Sequence, residues 1–143
     1  MRFFTKQWLS GELSDDEYEA MPEAYWRHVS SLQLPPDVLA LSQINPHDAR
    51  VLDVSSEPHA SCLTIRLRCG DLQCGYHEVQ LAYAEARIDD ASLEQLHRAT
   101  RLPFDEILYD EVDRAGERFE HRFIFASKAE VSMSFGAVAA TRK

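Results

Sequence analysis

A chain of 143 residues, 45% hydrophobic and 27% charged, has the length of one domain and can bury a core without disulfide or metal staples. Its 24 acids against 15 bases give a formal net charge of −9, which argues against nucleic acid and anionic membrane surfaces as partners, since both need clustered Lys and Arg. No run approaches the about 20 apolar residues of a membrane span, and Met1 to Lys6 leads into no apolar signal core, so a cytoplasmic protein is expected.

The first 45 residues read as helical. Ser14-Asp15-Asp16-Glu17 has the form of a capping box, in which the Ser14 hydroxyl and the Glu17 carboxylate each serve the other's backbone N–H. Pro22 suits the first turn of a second helix, with Tyr25, Val29 and Leu32 at helical spacing. Pro35-Pro36 ends that helix, and Asp37 to Ile44 makes a short third one. Asn45-Pro46 is a turn signal and the natural boundary between two halves.

After Pro46 the apolar period changes from 3.6 to 2. Val51 to Val54 is a short strand, and Leu63, Ile65, Leu67 and Cys69 alternate with Thr and Arg in a half-buried one. His77 to Arg87 is the next strand, and Asp90 to Thr100 is a helix with Leu93 and Leu96 apolar. Glu106 to Asp113 and Arg118 to Ala126 form a hairpin around Gly116, its second arm placing Phe119, His121, Phe123 and Phe125 on one face. Val131, Met133 and Phe135 mark a last strand, and the tail from Ala137 to Lys143 is expected to fray. The expected fold is α+β: N-terminal helices packed on an antiparallel β-meander sheet of about five or six strands, in a single domain over residues 1–143. Leu63, Ile65, Leu67, Phe119, Phe123 and Phe125 are predicted core, with Trp8, Tyr25 and Trp26 on the helices that cover the sheet.

The stretch Phe104-Asp105-Glu106-Ile107-Leu108-Tyr109-Asp110-Glu111-Val112-Asp113 is the densest group of acids. On a strand its carboxylates divide between two faces and do not converge on one ion. Across the hairpin Glu111 and Asp113 meet the strand bearing Arg118 and Arg122, where each opposite-charge pair contributes roughly 0.2–1 kcal/mol. The expectation is an ionised, largely solvated, charge-paired hairpin. A second acidic zone runs from Glu12 to Glu23, and residues 7–26 carry six acids and no base. Asp15, Asp16, Glu17 and Glu19 from that zone, with Asp110, Glu111 and Asp113 from the hairpin, are the predicted partner-binding residues.

Other chemistry is thinly supported. Cys69-x4-Cys74-x2-His77 is the nearest approach to a zinc cluster but lacks a visible fourth ligand. Cys62, Cys69 and Cys74 are expected to be reduced thiols. His28, His47, His59, His77, His97 and His121 lie in no recognised catalytic setting, and no G-x-S-x-G elbow, G-x-G-x-x-G fingerprint or phosphate loop occurs. No catalytic residue, cofactor or metal ligand is therefore assigned. A small metal-dependent or cysteine-based enzyme and a structural or oligomerising domain are the alternatives to a binding protein.

The opening Met1-Arg2-Phe3-Phe4-Thr5-Lys6-Gln7-Trp8, the Asn45-Pro46-His47-Asp48-Ala49 turn and the Leu108-Tyr109-Asp110-Glu111-Val112 segment resemble an uncharacterised family of bacterial proteins, a likeness that implies an α+β domain and no catalytic residues. In size, acidity and lack of catalytic signature the chain is also similar to immunity proteins of bacterial toxin systems, which bind and block a cognate toxin. That similarity implies a basic protein partner.

Overall fold

The alternating pattern after Pro46 builds two sheets. In the computed structural model, which describes residues 1–143, β2 (Cys62–Asp71) buries Leu63, Ile65, Leu67 and Cys69 on one face. It pairs antiparallel with β1 (Arg50–Glu57) and β3 (Gly75–Ala84), and β3 pairs in turn with β8 (Ala137–Arg142). The β2–β3 turn depends on Gly70, at φ +96°, where a Cβ would collide with the Gly75 carbonyl oxygen. The second sheet has the order β4 (Arg87–Ile88), β7 (Glu130–Phe135), β6 (Arg118–Phe125), β5 (Ile107–Ala115), again antiparallel throughout.

The α+β class is as expected, but the strands divide into two four-stranded sheets rather than one meander. The aromatic face of β6 is accordingly covered by the other sheet. Phe119, Phe123 and Phe125 join Leu63, Ile65, Leu67, Leu81 and Tyr83 in one cluster of 23 buried residues, so both sheets share a single core. The tail that was expected to fray is strand β8, paired with β3 from Val79–Arg142 to Ala84–Ala137. Its one large buried side chain, Val138, gives too little alternation to read as a strand; the ladder to β3 holds it.

Helices close the open sides between the sheets. The helix α4 (Asp90–Arg101), capped by Asp89 accepting from the Ser92 N–H at 2.7 Å, buries Leu96 and Ala99 against β1 and β7. On the other side α3 (Pro36–Ser42) sets Val38 and Leu41 against β8 and β5. No helix is long and apolar enough to cross a membrane.

The remaining helices pack outside β5. A short α1 (Lys6–Leu9) precedes α2 (Asp15–Ser31), which begins in the expected capping box of Ser14 and Glu17. Pro22 does not start a new helix; it lies within α2. A proline there removes the N–H that would bond the carbonyl four residues earlier. That carbonyl, of Tyr18, accepts instead from the Trp8 indole N–H at 3.0 Å. The indole thus satisfies the gap left by Pro22 and ties α1 to α2. Phe4, Trp8, Tyr25 and Val29 form a second buried cluster, with Tyr109 of β5 packed against it.

Candidate functional site

The first turn of β5 decides where the acids go. A register shift between Ile107 and Tyr109 lets Ile107, Asp110 and Val112 all turn toward the core between the sheets. Asp110 stands opposite Phe123 and Val112 opposite His121. Tyr109, Glu111 and Asp113 turn outward, toward the N-terminal segment and α2.

Outward does not mean solvated. Glu111 is only 1% exposed. Its Oε1 accepts from the backbone N–H groups of Phe3 and Phe4 at 2.6 and 2.7 Å, and its Oε2 from that of Arg2 at 2.7 Å. Arg122 adds a fourth bond to Oε2, at 3.1 Å. The expectation of a largely solvated hairpin is therefore corrected, because the N-terminal segment has three N–H groups without other partners and folds over the carboxylate to use them.

Asp113 completes the network. Its Oδ1 accepts from His28 Nε2 at 2.9 Å and from the Arg114 N–H at 2.8 Å, and its Oδ2 from Arg122 Nη2 at 2.8 Å. Burial works to raise its pKa, but those bonds and the guanidinium charge outweigh burial and hold the carboxyl below its ordinary value. Arg122 also binds Glu120 at 2.8 Å, so one guanidinium serves three carboxylates. Arg118, expected to share this work, instead donates to Ser134 Oγ and the Glu85 carbonyl. Asp105 is buried too, accepting from Gln95 at 2.8 Å and from the Ser127 N–H at 2.9 Å.

Asp110 differs from these. Its Oδ2 accepts from His121 Nε2 at 2.8 Å, and His121 Nδ1 lies 2.8 Å from the Tyr83 hydroxyl. Burial raises the Tyr83 phenol well above its normal pKa, with the charge of Asp110 adding to the effect. The phenol therefore keeps its proton, and the imidazole bridges it to Asp110. Burial likewise raises the pKa of Asp110, against the lowering effect of the His121 hydrogen bond. No Lys or Arg pairs with it, and its Oδ1 takes no hydrogen bond from another residue.

A carboxylate, an imidazole and a phenol in line have the order of a proton relay. Here Tyr83 and His121 are each 1% exposed, so the phenol end is sealed. Only Asp110, with a side chain 15% exposed, meets the outside. Burial also pushes the Cys69 thiol up to about 11, with Asp110 adding to the rise, which keeps it protonated and inert.

What Asp110 meets is a cavity of about 520 Å³ between α2, β5 and the segment from Ser42 to Asn45. Its walls are Phe4, Trp8, Tyr18, Tyr25, Trp26 and Tyr109. The rings brace one another: Trp8 stacks on Tyr18 with centroids 4.5 Å apart, and Phe4 stacks on Tyr109 at 4.9 Å. The Tyr25 hydroxyl accepts from the Val112 N–H at 2.8 Å. Tyr18 and Trp26, 43% and 48% exposed, form the rim. No lysine or arginine lines the space, and Asp110 is its one acid.

The seven predicted partner-binding residues thus fall into three environments. Asp15, Asp16, Glu17 and Glu19 are exposed on α2. Asp110 lines the cavity. Glu111 and Asp113 are held in the buried network. The aromatic walls were missed as a site, although Tyr18, Pro22 and Tyr25 recur at i, i+4 and i+7 and so share one helical face. Of the possible zinc ligands, Cys69 is buried opposite His77 on the β2–β3 ladder while Cys74 is exposed in the turn. No three His, Cys, Asp or Glu side chains gather where they could hold a metal ion. Compared with known proteins, the chain matches no family model, no curated protein and no solved structure.

Proposed function

We propose that this chain is a non-catalytic binding protein that takes a basic protein partner on the α2 face, in the manner of an immunity or inhibitor protein that neutralises a bacterial toxin. The observation that carries the reading is the pairing of an exposed acidic helix with an aromatic cavity opening beside it, rimmed by Tyr18 and Trp26. Acids around such a rim steer a cationic partner and set specificity, while aromatic side chains supply affinity on contact. The net charge of −9 acts in the same direction. The lack of a catalytic role is supported by the use made of the reactive groups: His121 and Tyr83 are sealed in the core, and Glu111 and Asp113 are occupied by Arg122 and backbone N–H groups.

The test is co-expression with the product of the gene immediately upstream. Growth arrest by that product, relieved by this chain, is the expected result; arrest that continues with the chain present and no complex on co-purification contradicts it. The acids are tested by the triple variant Asp15→Asn, Asp16→Asn, Glu19→Gln, which leaves the Glu17 cap intact. Association with the partner is expected to slow by about tenfold at low ionic strength and to lose most of its salt dependence. The thermal midpoint should move by only a few degrees, since these side chains are exposed. An unchanged association rate at low salt reduces the α2 acids to solubility groups.

A further inference from the structure

We infer that the aromatic cavity beside α2 receives a single alkylammonium group, the side chain of a lysine on the basic partner, and holds it between aromatic faces and the Oδ1 oxygen of Asp110. The inference rests on the binding reading above and assigns its anchor.

The argument begins with an imbalance of charge. Glu111 and Asp113, on one side of β5, share the guanidinium of Arg122 at 3.1 and 2.8 Å. Asp110, on the other side, has only the imidazole of His121 at 2.8 Å. The carboxylate without a lysine or arginine partner is thus the one that lines the cavity. Burial first, and the charge of Asp110 second, raise the pKa values of Tyr25, Tyr83 and Cys69, as expected of groups that surround one carboxylate.

The walls suit a cation as well as Asp110 does. Aromatic faces attract ammonium groups, and the attraction grows when water is excluded. Trp8 and Trp26 line the space with four further aromatic rings. A volume of about 520 Å³ lies within the usual range for a small-ligand pocket and admits a four-carbon stem with its charged end at Asp110. The free valence of Asp110 selects the kind of cation. Because Oδ2 already accepts from His121, only Oδ1 is wholly open, and a guanidinium fork would have to share the occupied oxygen. An ammonium, a point charge with rotatable donors, needs only one.

Both tryptophans of the chain line the cavity, so intrinsic fluorescence reports on this site. The probe is Nα-acetyl-lysine-N-methylamide, titrated into the full chain beside its norleucine and arginine analogues. Saturable binding of the lysine probe is expected, with the norleucine analogue at least about tenfold weaker and the arginine analogue weaker than lysine. Asp110→Asn should weaken the lysine probe at least about tenfold, and Trp26→Ala, at the exposed rim, should weaken it severalfold at an unchanged thermal midpoint. Absence of saturable binding, norleucine or arginine binding as tightly as lysine, or binding unaffected by Asp110→Asn overturns the assignment. If Asp110→Asn fails to fold, Trp26→Ala decides, and unchanged binding there overturns it equally. The titration needs no partner: probe binding without any partner complex overturns the toxin reading and leaves the receptor, whereas a partner complex without probe binding does the reverse.

Discussion

Replacing Arg122 by alanine is expected to destabilise the fold by about 3–5 kcal/mol, the usual cost of removing one partner from a buried ion pair. The magnitude follows from what stays behind. Glu111 is 1% exposed, the Asp113 side chain 9%, and Arg122 itself 16%. Without the guanidinium, Glu111 and Asp113 are left as neighbouring buried anions served by His28, backbone N–H groups and, at 3.7 Å from Asp113, the exposed Arg2 side chain. For a domain of this size the loss corresponds to roughly 10 °C or more in thermal midpoint. The effect also has a signature in pH. In the parent chain the carboxyl of Asp113 is held below its ordinary value, so its contribution is fully present above the ordinary carboxylate range and disappears as pH falls through the lowered folded value. Without Arg122 that contribution shrinks, and the gap between parent and variant should narrow as pH falls below the ordinary aspartate range. Thermal unfolding from pH 7 down to pH 3 measures both effects. A loss below about 1 kcal/mol at pH 7 would mean that the network behaves like an ordinary surface salt bridge.

Glu111→Ala is expected to cost about 3 kcal/mol or more through a different part of the structure. Arg122 keeps Asp113 and Glu120 as partners, but the N–H groups of Arg2, Phe3 and Phe4 lose their only acceptor. Buried donors left unsatisfied cost about 1–3 kcal/mol each when no water reaches them. The N-terminal segment should then detach from β5, carrying Phe4 away from Tyr25 and Tyr109. Faster hydrogen exchange confined to the N-terminal segment and α1 is the expected outcome. Protection retained there would show that aromatic packing alone holds the segment. Glu111→Gln, which preserves an acceptor but loses the charge, should fall between the parent and the alanine variant.

Strong local periodicity made much of the fold legible. Leu63, Ile65, Leu67 and Cys69 alternate because only one face of β2 meets the core, and the capping box announces α2 because its two hydrogen bonds lie three residues apart. What was misread depends on contacts that leave no local pattern. The pairing of β3 with β8 joins residues from opposite ends of the β half, so nothing near Ala137 signals a strand. Pro22 reads as a helix start because its rescue comes from an indole outside the helix, on Trp8. Strand alternation already puts Asp110 and Glu111 on opposite faces, but it gives no sign of the register shift after Ile107 that places Asp110 and Ile107 together on the core side. The donors to Glu111 are backbone groups 107 to 109 residues away, and backbone N–H groups carry no signature in composition.

The buried acids thus differ in kind. Glu111 and Asp113 stabilise the fold, whereas Asp110 has no lysine or arginine partner and a raised pKa. A raised carboxyl pKa means that the folded chain binds the proton more readily than the unfolded chain. Ionisation of Asp110 therefore opposes folding above its raised value, and this penalty is relieved as pH falls through that value. Binding sites commonly retain such groups at a cost in stability. The decisive measurement is the thermal midpoint of Asp110→Asn at pH 7, with and without saturating Nα-acetyl-lysine-N-methylamide. The asparagine can still accept from His121 Nε2, so the variant alone should melt at or above the parent's midpoint, and the probe should raise the parent's midpoint but not the variant's. A variant that gains as much from the probe as the parent does would contradict a binding role for Asp110.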